Sequence, residues 1–283
     1  MSNANVVRTG VAGLVQTGQY VGKPVPALPN STLNQKLGIN PDQDIPANTV
    51  QTVRYVAIGD GGHDFVVGDS GRKKWEAVRH LPRHTALYSQ LPFVLREMDN
   101  DLTAAERSKY RLRRIEEHNG KSYYAYYLRV LDLSDSDVGM ELRHVEAGVT
   151  TATPYTPTLE DLNPTPPVLS AGQAVTTAGD YIATSLKVPF TMSPTDITEF
   201  NRAMEIIRGE SGWGQISEMA LVAGVDANVN GLFNGETKQY VDVLRAQIVS
   251  YISTAYVTEF QTDGFTMNLD IGNVEPLRTT ATV

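Results

Sequence analysis

The stretch from Tyr55 to Gly71, "YVAIGDGGHDFVVGDSG", concentrates residue types that could carry chemistry. It holds five glycines, three aspartates and one histidine within 17 residues. Glycine-rich turns can cradle a phosphate, aspartate and histidine can hold a metal ion, and the serine of "GDSG" could act as a nucleophile. Each of these functions also needs partner residues at particular spacings.

Two of these functions lack the partners that they require. No Gly-Lys pair has the P-loop spacing, and Asp64 occupies the third glycine position of the dinucleotide pattern that begins at Gly59. The serine-protease interpretation fails because His63 is the only histidine that precedes Ser70, and it lies seven residues away. The sequence therefore predicts neither a phosphate-binding loop nor a serine nucleophile.

A metal site around His63, Asp60 and Asp64 remains open as an alternative, with a metal-dependent hydrolase as the implied function. The same residue types also describe a turn at the end of a strand. We predict a structural turn, in which glycines adopt backbone angles that other residues resist; its members are Gly59, Gly61 and Gly62. No catalytic residue, cofactor or metal ligand is predicted.

The composition limits the classes of partner. Thirty-two acidic residues against 24 basic ones give a net charge of −8, which makes nucleic acid unlikely as the main partner. The absence of cysteine excludes disulfides, thiolate metal sites and cysteine nucleophiles. We expect neither a secretory signal nor a membrane-spanning segment, because no apolar block has the required length and flanks.

The local patterns predict an α+β fold with a β-rich N-terminal body and a mixed C-terminal part. Residues 52–59 are rich in strand formers, and Asn119 with Gly120 predicts a two-residue turn in a Tyr-rich hairpin. A capping box at Thr103 predicts a short helix, and Ser193 predicts the start of a longer one. Further helices are expected within 215–224 and 237–253, although the Ile-, Val- and Thr-rich end of the second segment could instead be strand. Alternation over 264–272 predicts a strand.

Proline and threonine content suggests four segments. We expect an extended N-terminal arm over residues 1–50, a β-rich domain over 51–149, a linker over 150–178 and an α/β domain over 179–283. The arm and the linker are expected to be partly disordered in the isolated protein and ordered in an assembly.

The Tyr-rich hairpin and the basic run "RSKYRLRR" are the candidate interface. Tyrosine and arginine are enriched in protein interfaces, although strand packing and salt bridges would use the same residues. The candidate interface residues are Tyr123, Tyr124, Tyr126, Tyr127, Arg111, Arg113 and Arg114.

Four blocks of the chain resemble virion structural proteins of contractile-tailed bacteriophages: "RYVAIGDGGHDF", "LPFVLREMDNDL", "YYAYYLRVLDLS" and "LDIGNVEPL". The resemblance covers most of residues 50–277. It implies a non-enzymatic subunit of a neck, collar, baseplate or tail ring, located in the virion and assembled in the host cytoplasm. The implied partners are copies of itself and other virion structural proteins. A receptor- or glycan-binding module, suggested by the aromatic hairpin and Trp213, is an alternative.

Overall fold

The computed structural model describes residues 4–67, 71–134, 136–165, 175–209, 214–233, 235–260 and 263–280. The strands are β1 (Ala4–Arg8), β2 (Thr52–Gly59), β3 (His63–Val67), β4 (Lys73–Ala77), β5 (Gln90–Leu91), β6 (Val94–Glu97), β7 (Tyr110–His118), β8 (Lys121–Val130), β9 (Val138–Glu146), β10 (Val149–Pro154), β11 (Val175–Met192), β12 (Gly214–Phe233), β13 (Glu236–Phe260) and β14 (Phe265–Thr280). The helices are α1 (Gly10–Val21), α2 (Leu33–Leu37), α3 (Ala104–Arg107), α4 (Leu159–Leu162) and α5 (Pro194–Arg208).

Strands dominate, and the coarse prediction of a mostly β, mixed α+β protein is confirmed. The chain forms two compact units, one of residues 1–131 with 191–265 and the other of residues 132–190 with 266–283. This division differs from the four consecutive segments expected from composition. Among the residues described, no helix is both long and apolar enough to cross a membrane.

The larger unit is built on an antiparallel sheet in the order β1-β13-β12-β2-β8-β6, with β5 added to β2 and β7 added to β8. The β7–β8 hairpin turns at Asn119 and Gly120, whose φ angles of 51° and 75° are the left-handed values of the expected two-residue turn. The buried face of β8 supplies much of the core, including Tyr124 and Tyr126, whose side chains are fully buried.

The β12–β13 hairpin replaces the two helices expected within 215–224 and 237–253, and those predictions were wrong. Residues 219–223 are a short apolar run, and 237–253 contain both helical spacings (Val241, Leu244, Ile248) and alternating ones (Leu244, Ala246, Ile248). Neither segment therefore carries a period that separates a buried strand from a buried helix. Pairing between strands of 20 and 25 residues decides the outcome.

Helix α5 and the short helix α3 begin where the sequence predicts. Ser193 accepts a hydrogen bond from the amide of Asp196, Pro194 occupies the first turn, and Gly209 ends the helix with a φ of 71°. Thr103 caps α3 in the same way. The predicted apolar face of α5 is confirmed in Ile197, Phe200 and Met204, which are buried; Ile207 is half-buried.

Residues 4–50 are not an unstructured arm, since they form β1, α1 and α2 against β13. Asn34 of α2 is buried, and its side-chain amide donates to the carbonyls of Val243 (2.9 Å) and Ile39 (3.0 Å). Its Oδ1 accepts from the amide of Ala246 at 2.7 Å. Between these two contacts Arg245 has a φ of 50°, so Asn34 satisfies backbone groups that the irregularity of β13 leaves unpaired.

Asp242 ties β13 to β7 through buried hydrogen bonds. Its carboxylate accepts from the amides of Leu112 (2.6 Å), Val243 (2.8 Å) and Arg113 (3.3 Å). Leu112 has a φ of 53°, a strained value for a branched side chain, and the bond from its amide compensates for the interrupted pairing. Burial raises the pKa of Asp242 to about 6, because the three amides only partly offset the loss of water.

The smaller unit contains a four-stranded sheet in the order β10-β9-β11-β14. Its strand β14 contains the strand predicted over 264–272. The segment expected to be a linker contributes β10 and α4, and its residues 166–174 lie outside the described residues. In this unit the guanidinium of Arg143 forms ion pairs with Glu141 at 2.9 Å and with Asp270 at 3.1 Å.

Candidate functional site

The glycine-rich stretch wraps around a buried carboxylate, that of Glu218 on β12. A Cβ atom placed on Gly62 would lie 2.2 Å from the carbonyl oxygen of Ser217, and one on Gly59 would lie 2.3 Å from that of Ser89. Neither glycine has a positive φ. The turn is thus where the sequence analysis placed it, but glycine is required there for close approach and not for special backbone angles.

Glu218 is fully buried and accepts four hydrogen bonds. Its Oε1 accepts from the amides of Ser89 (2.8 Å) and Gly61 (3.2 Å), and its Oε2 accepts from the amide of Tyr88 (3.2 Å) and lies 2.9 Å from Nε2 of His80. Burial alone would raise the pKa of Glu218. The bonds from His80 and from the amides outweigh burial, and the pKa is lowered.

His80 is buried between two tyrosine rings. The ring centroid of Tyr251 lies 3.8 Å away and that of Tyr88 lies 4.1 Å away, both nearly parallel to the imidazole. Nδ1 of His80 lies 3.3 Å from Nδ1 of His84, which also accepts from the amide of Leu81. The imidazole of His80 is thus enclosed by the Glu218 carboxylate at Nε2 and by an aromatic ring on each face.

The two-stranded hairpin β3–β4 begins directly after Gly62, beside the buried Glu218 carboxylate. It forms its own sheet, in which Phe65 pairs with Trp75 and Val67 pairs with Lys73. The rings of Phe65 and Trp75 stack with centroids 3.4 Å apart, yet the two residues remain 49% and 43% exposed. Val67 is 64% exposed on the same face. We call this side of the hairpin, defined by Phe65, Val67, Lys73 and Trp75, the aromatic face.

The opposite side of the hairpin carries charges. Asp64 pairs with Glu76, and Val66 with Lys74; the ammonium of Lys74 lies 3.0 Å from Glu76. Lys73 is the cation of the aromatic face, with its Nζ 5.8 Å from the Phe65 ring. The tip residues Gly68 to Ser70, including the serine considered above as a nucleophile, lie outside the described residues.

The alternative of a metal site around His63, Asp60 and Asp64 is not supported in the part of the chain that the structure describes. There, no three His, Asp or Glu side chains are grouped so that they could hold an ion. Asp60 instead forms an ion pair with Arg208 at 2.8 Å, and the ring of His63 packs edge-on against Trp75 at 4.7 Å. His63 thus belongs to the base of the hairpin.

The residues expected to form an interface lie mostly in the interior. The four tyrosines, Arg111 and Arg113 are buried within this chain, and Arg114 is half-buried. They lie on both faces of β7–β8, which are covered within the fold, so they do not constitute an exposed interface in this chain.

Internal acceptors surround the buried arginines. The guanidinium of Arg113 lies 3.7 Å from the ring centroid of Tyr124 and pairs with Asp101 at 2.9 Å. Arg111 makes two bonds to Asp226, at 2.7 and 2.9 Å. Because these cations are neutralised inside the fold, the basic run of the sequence is not a surface patch.

The exposed hairpin itself was missed by the sequence analysis. Its signal is the alternation of His63, Phe65 and Val67, followed by glycines and by Trp75.

The chain belongs to a protein family of unknown function, DUF7208, whose model matches residues 1–283. Searches among curated proteins and among solved structures found no match to the chain.

Proposed function

We propose that the chain is a non-enzymatic structural subunit of a tailed-phage virion and that it joins its neighbours through the aromatic face of β3–β4. The exposed stack of Phe65 and Trp75 is the observation that carries the proposal. Exposed aromatic surface is typical of protein contacts, where a large rigid ring can be buried at low entropic cost. The family resemblance noted in the sequence supports the virion setting.

The buried Glu218 carboxylate at the base of the hairpin supports the same interpretation. An isolated two-stranded hairpin is marginally stable in water, so it needs support from the fold to keep one conformation. Glu218 holds the amides of Gly61, Tyr88 and Ser89 immediately before and beside the hairpin. A pre-organised surface loses less conformational entropy on binding, which favours assembly.

The proposed station is a ring of the neck or collar, the baseplate or the tail. Its partners are copies of the chain and other virion structural proteins, and assembly takes place in the host cytoplasm. The net charge of −8 disfavours packaged DNA as the main contact.

Quantitative mass spectrometry of purified phage particles tests the proposal. We expect the chain in a fixed number of copies per particle, retained through a density gradient and a high-salt wash. Absence from the particle, or a copy number that falls with each wash, would overturn the structural role.

A receptor- or glycan-binding module is the second candidate; Trp213, which suggested it in the sequence, lies outside the described residues, and one observation elsewhere favours it. Trp75 is stacked on Phe65 through one ring face and remains 43% exposed, as in an aromatic platform for a sugar ring. A glycan array probed with wild type and with Trp75→Ala tests it. Binding that the substitution abolishes would favour this function, and an array without signal would exclude it.

A further inference from the structure

We propose that the aromatic face binds the proline-rich segment of a second copy of this chain, so that copies associate head to tail. We define the proline-rich segment as residues 23–30, "KPVPALPN", together with the acidic turn 41–44, "PDQD". The inference rests on the proposed function, because it names the partner of the same aromatic face.

The proline-rich segment lines an open groove of about 350 Å³ on the larger unit. Pro26, Leu28, Pro29 and Pro41 supply its apolar wall, and Asp42 and Asp44 lie at one side. Pro24, Pro26, Pro29 and Pro41 are exposed in this chain. Exposed prolines that line one groove offer an apolar surface without backbone donors.

The segment is held in place by its one buried residue. Val25 is 2% exposed; its amide donates to Oε1 of Gln51 at 3.0 Å, and its carbonyl accepts from Arg245 at the same distance. The prolines on either side therefore stand at fixed positions. A rigid extended segment with exposed prolines is the kind of ligand that aromatic surfaces recognise, because little conformational entropy remains to be lost.

The two surfaces carry opposite charges at one point each. Lys73 is the cation of the aromatic face, while Asp64 and Glu76 of the hairpin belong to the opposite face. The groove carries Asp42 and Asp44, of which Asp44 already pairs with Arg245 at 2.6 Å. Asp42 is the carboxylate that we assign to Lys73 of the neighbouring copy. Burial of Phe65 and Trp75 against the prolines would supply the apolar part of the contact.

This contact joins two different surfaces, so each copy can bind one neighbour through its hairpin and another through its groove. Such heterologous contacts close into rings or continue as filaments, which is the arrangement that a ring subunit requires.

A charge-exchange cycle tests the assignment. We expect Lys73→Glu and Asp42→Lys each to weaken self-association roughly tenfold in sedimentation velocity, and the double variant to regain most of the loss. Lys74→Glu, on the opposite face, is the matched control and should associate as wild type does. Losses that add in the double variant, or a monomeric wild type over the whole concentration range, would overturn the inference.

Directed cross-linking provides an independent readout, because the chain has no cysteine of its own. Val67→Cys combined with Ala27→Cys should give a ladder of disulfide-linked multimers on oxidation, whereas either single variant can give at most dimers. Val67→Cys with Glu117→Cys is the control pair. A ladder that is absent, or equal for both pairs, would contradict the inference. If hairpin variants still fail to enter particles in that case, the hairpin binds a different virion protein and the proposed function stands.

Discussion

Nε2 of His80 lies 2.9 Å from Oε2 of Glu218, and both side chains are fully buried, 138 residues apart in sequence. Gly61 and Gly62 pass so close to Glu218 that a Cβ atom on either would lie within 3.0 Å of its side chain. Glu218 thus holds the glycine-rich stretch against β12 at the base of the β3–β4 hairpin.

Glu218→Gln should lower the free energy of unfolding by about 3 kcal/mol, because a side-chain amide has only one accepting oxygen and leaves two buried donors without a partner, either those on Oε2 (Tyr88 and His80) or those on Oε1 (Ser89 and Gly61). Urea unfolding at neutral pH measures the loss. Glu76→Gln is the control; its pair with Lys74 is solvent-exposed, so the change should stay well under 1 kcal/mol. Equal stability of the two variants would contradict the structural role of the Glu218 carboxylate.

Gly62→Ala should destabilise the protein by about 1–3 kcal/mol or more, since the added methyl would lie 2.2 Å from the Ser217 carbonyl. Gly139→Ala is the matched control, because no atom lies within 4 Å of its added Cβ and its φ is not positive. Thermal unfolding of both variants tests this. A neutral Gly62→Ala would show that the close approach to β12 is not required.

Asp242 should make stability fall as pH rises. Its folded pKa of about 6 exceeds the ordinary value of 3.8, so between about pH 4 and pH 6 the folded protein holds a proton that the unfolded chain releases. Asp242→Asn cannot titrate. The unfolding free energy of wild type relative to this variant should therefore drop by up to about 3 kcal/mol from pH 4 to pH 7. Parallel pH profiles would contradict the shift.

Asp196 should make stability fall as pH decreases, which is the opposite of the pH dependence expected from Asp242. Although burial opposes ionisation, the bonds from Arg129 and Ser193 lower its pKa to about 2. The stability that wild type has over Asp196→Asn should be full above pH 4 and should be lost as pH falls towards 2. Acid unfolding of the two proteins checks this, and a loss confined to pH above 4 would contradict it.

Asn34→Ala should expose the N-terminal segment. The substitution leaves the Val243 carbonyl and the Ala246 amide without their partner, at a cost of about 3 kcal/mol. Hydrogen exchange should accelerate at Val25, Ile39 and Ala246, while exposed Gln43→Ala leaves exchange unchanged. Rapid exchange of residues 23–50 already in the wild type would instead support the disordered arm expected from composition.

Turns and helix caps that depend on residues close together in the sequence could be predicted from it. The Asn119-Gly120 turn and the cap at Ser193 depend on residues within a few positions, and both are found as expected. The long strands β12 and β13 depend on pairing with β2 and with each other, so the local spacing of apolar residues, which favoured helices, was misleading. The site depends on Glu218, which lies 157 positions from Gly61, and no local pattern links them.

The most direct test of the central claim is incorporation of a hairpin variant into phage particles. A phage lacking the gene would be complemented with Phe65→Ser/Trp75→Ser, or with Tyr20→Ser, which removes an aromatic ring 76% exposed on α1. Both purified proteins should unfold cooperatively as wild type does, since none of the substituted rings belongs to the buried core of the larger unit. We predict that the hairpin variant is absent from particles and yields no infectious phage, whereas Tyr20→Ser restores both. Wild-type incorporation of the folded hairpin variant would contradict the account.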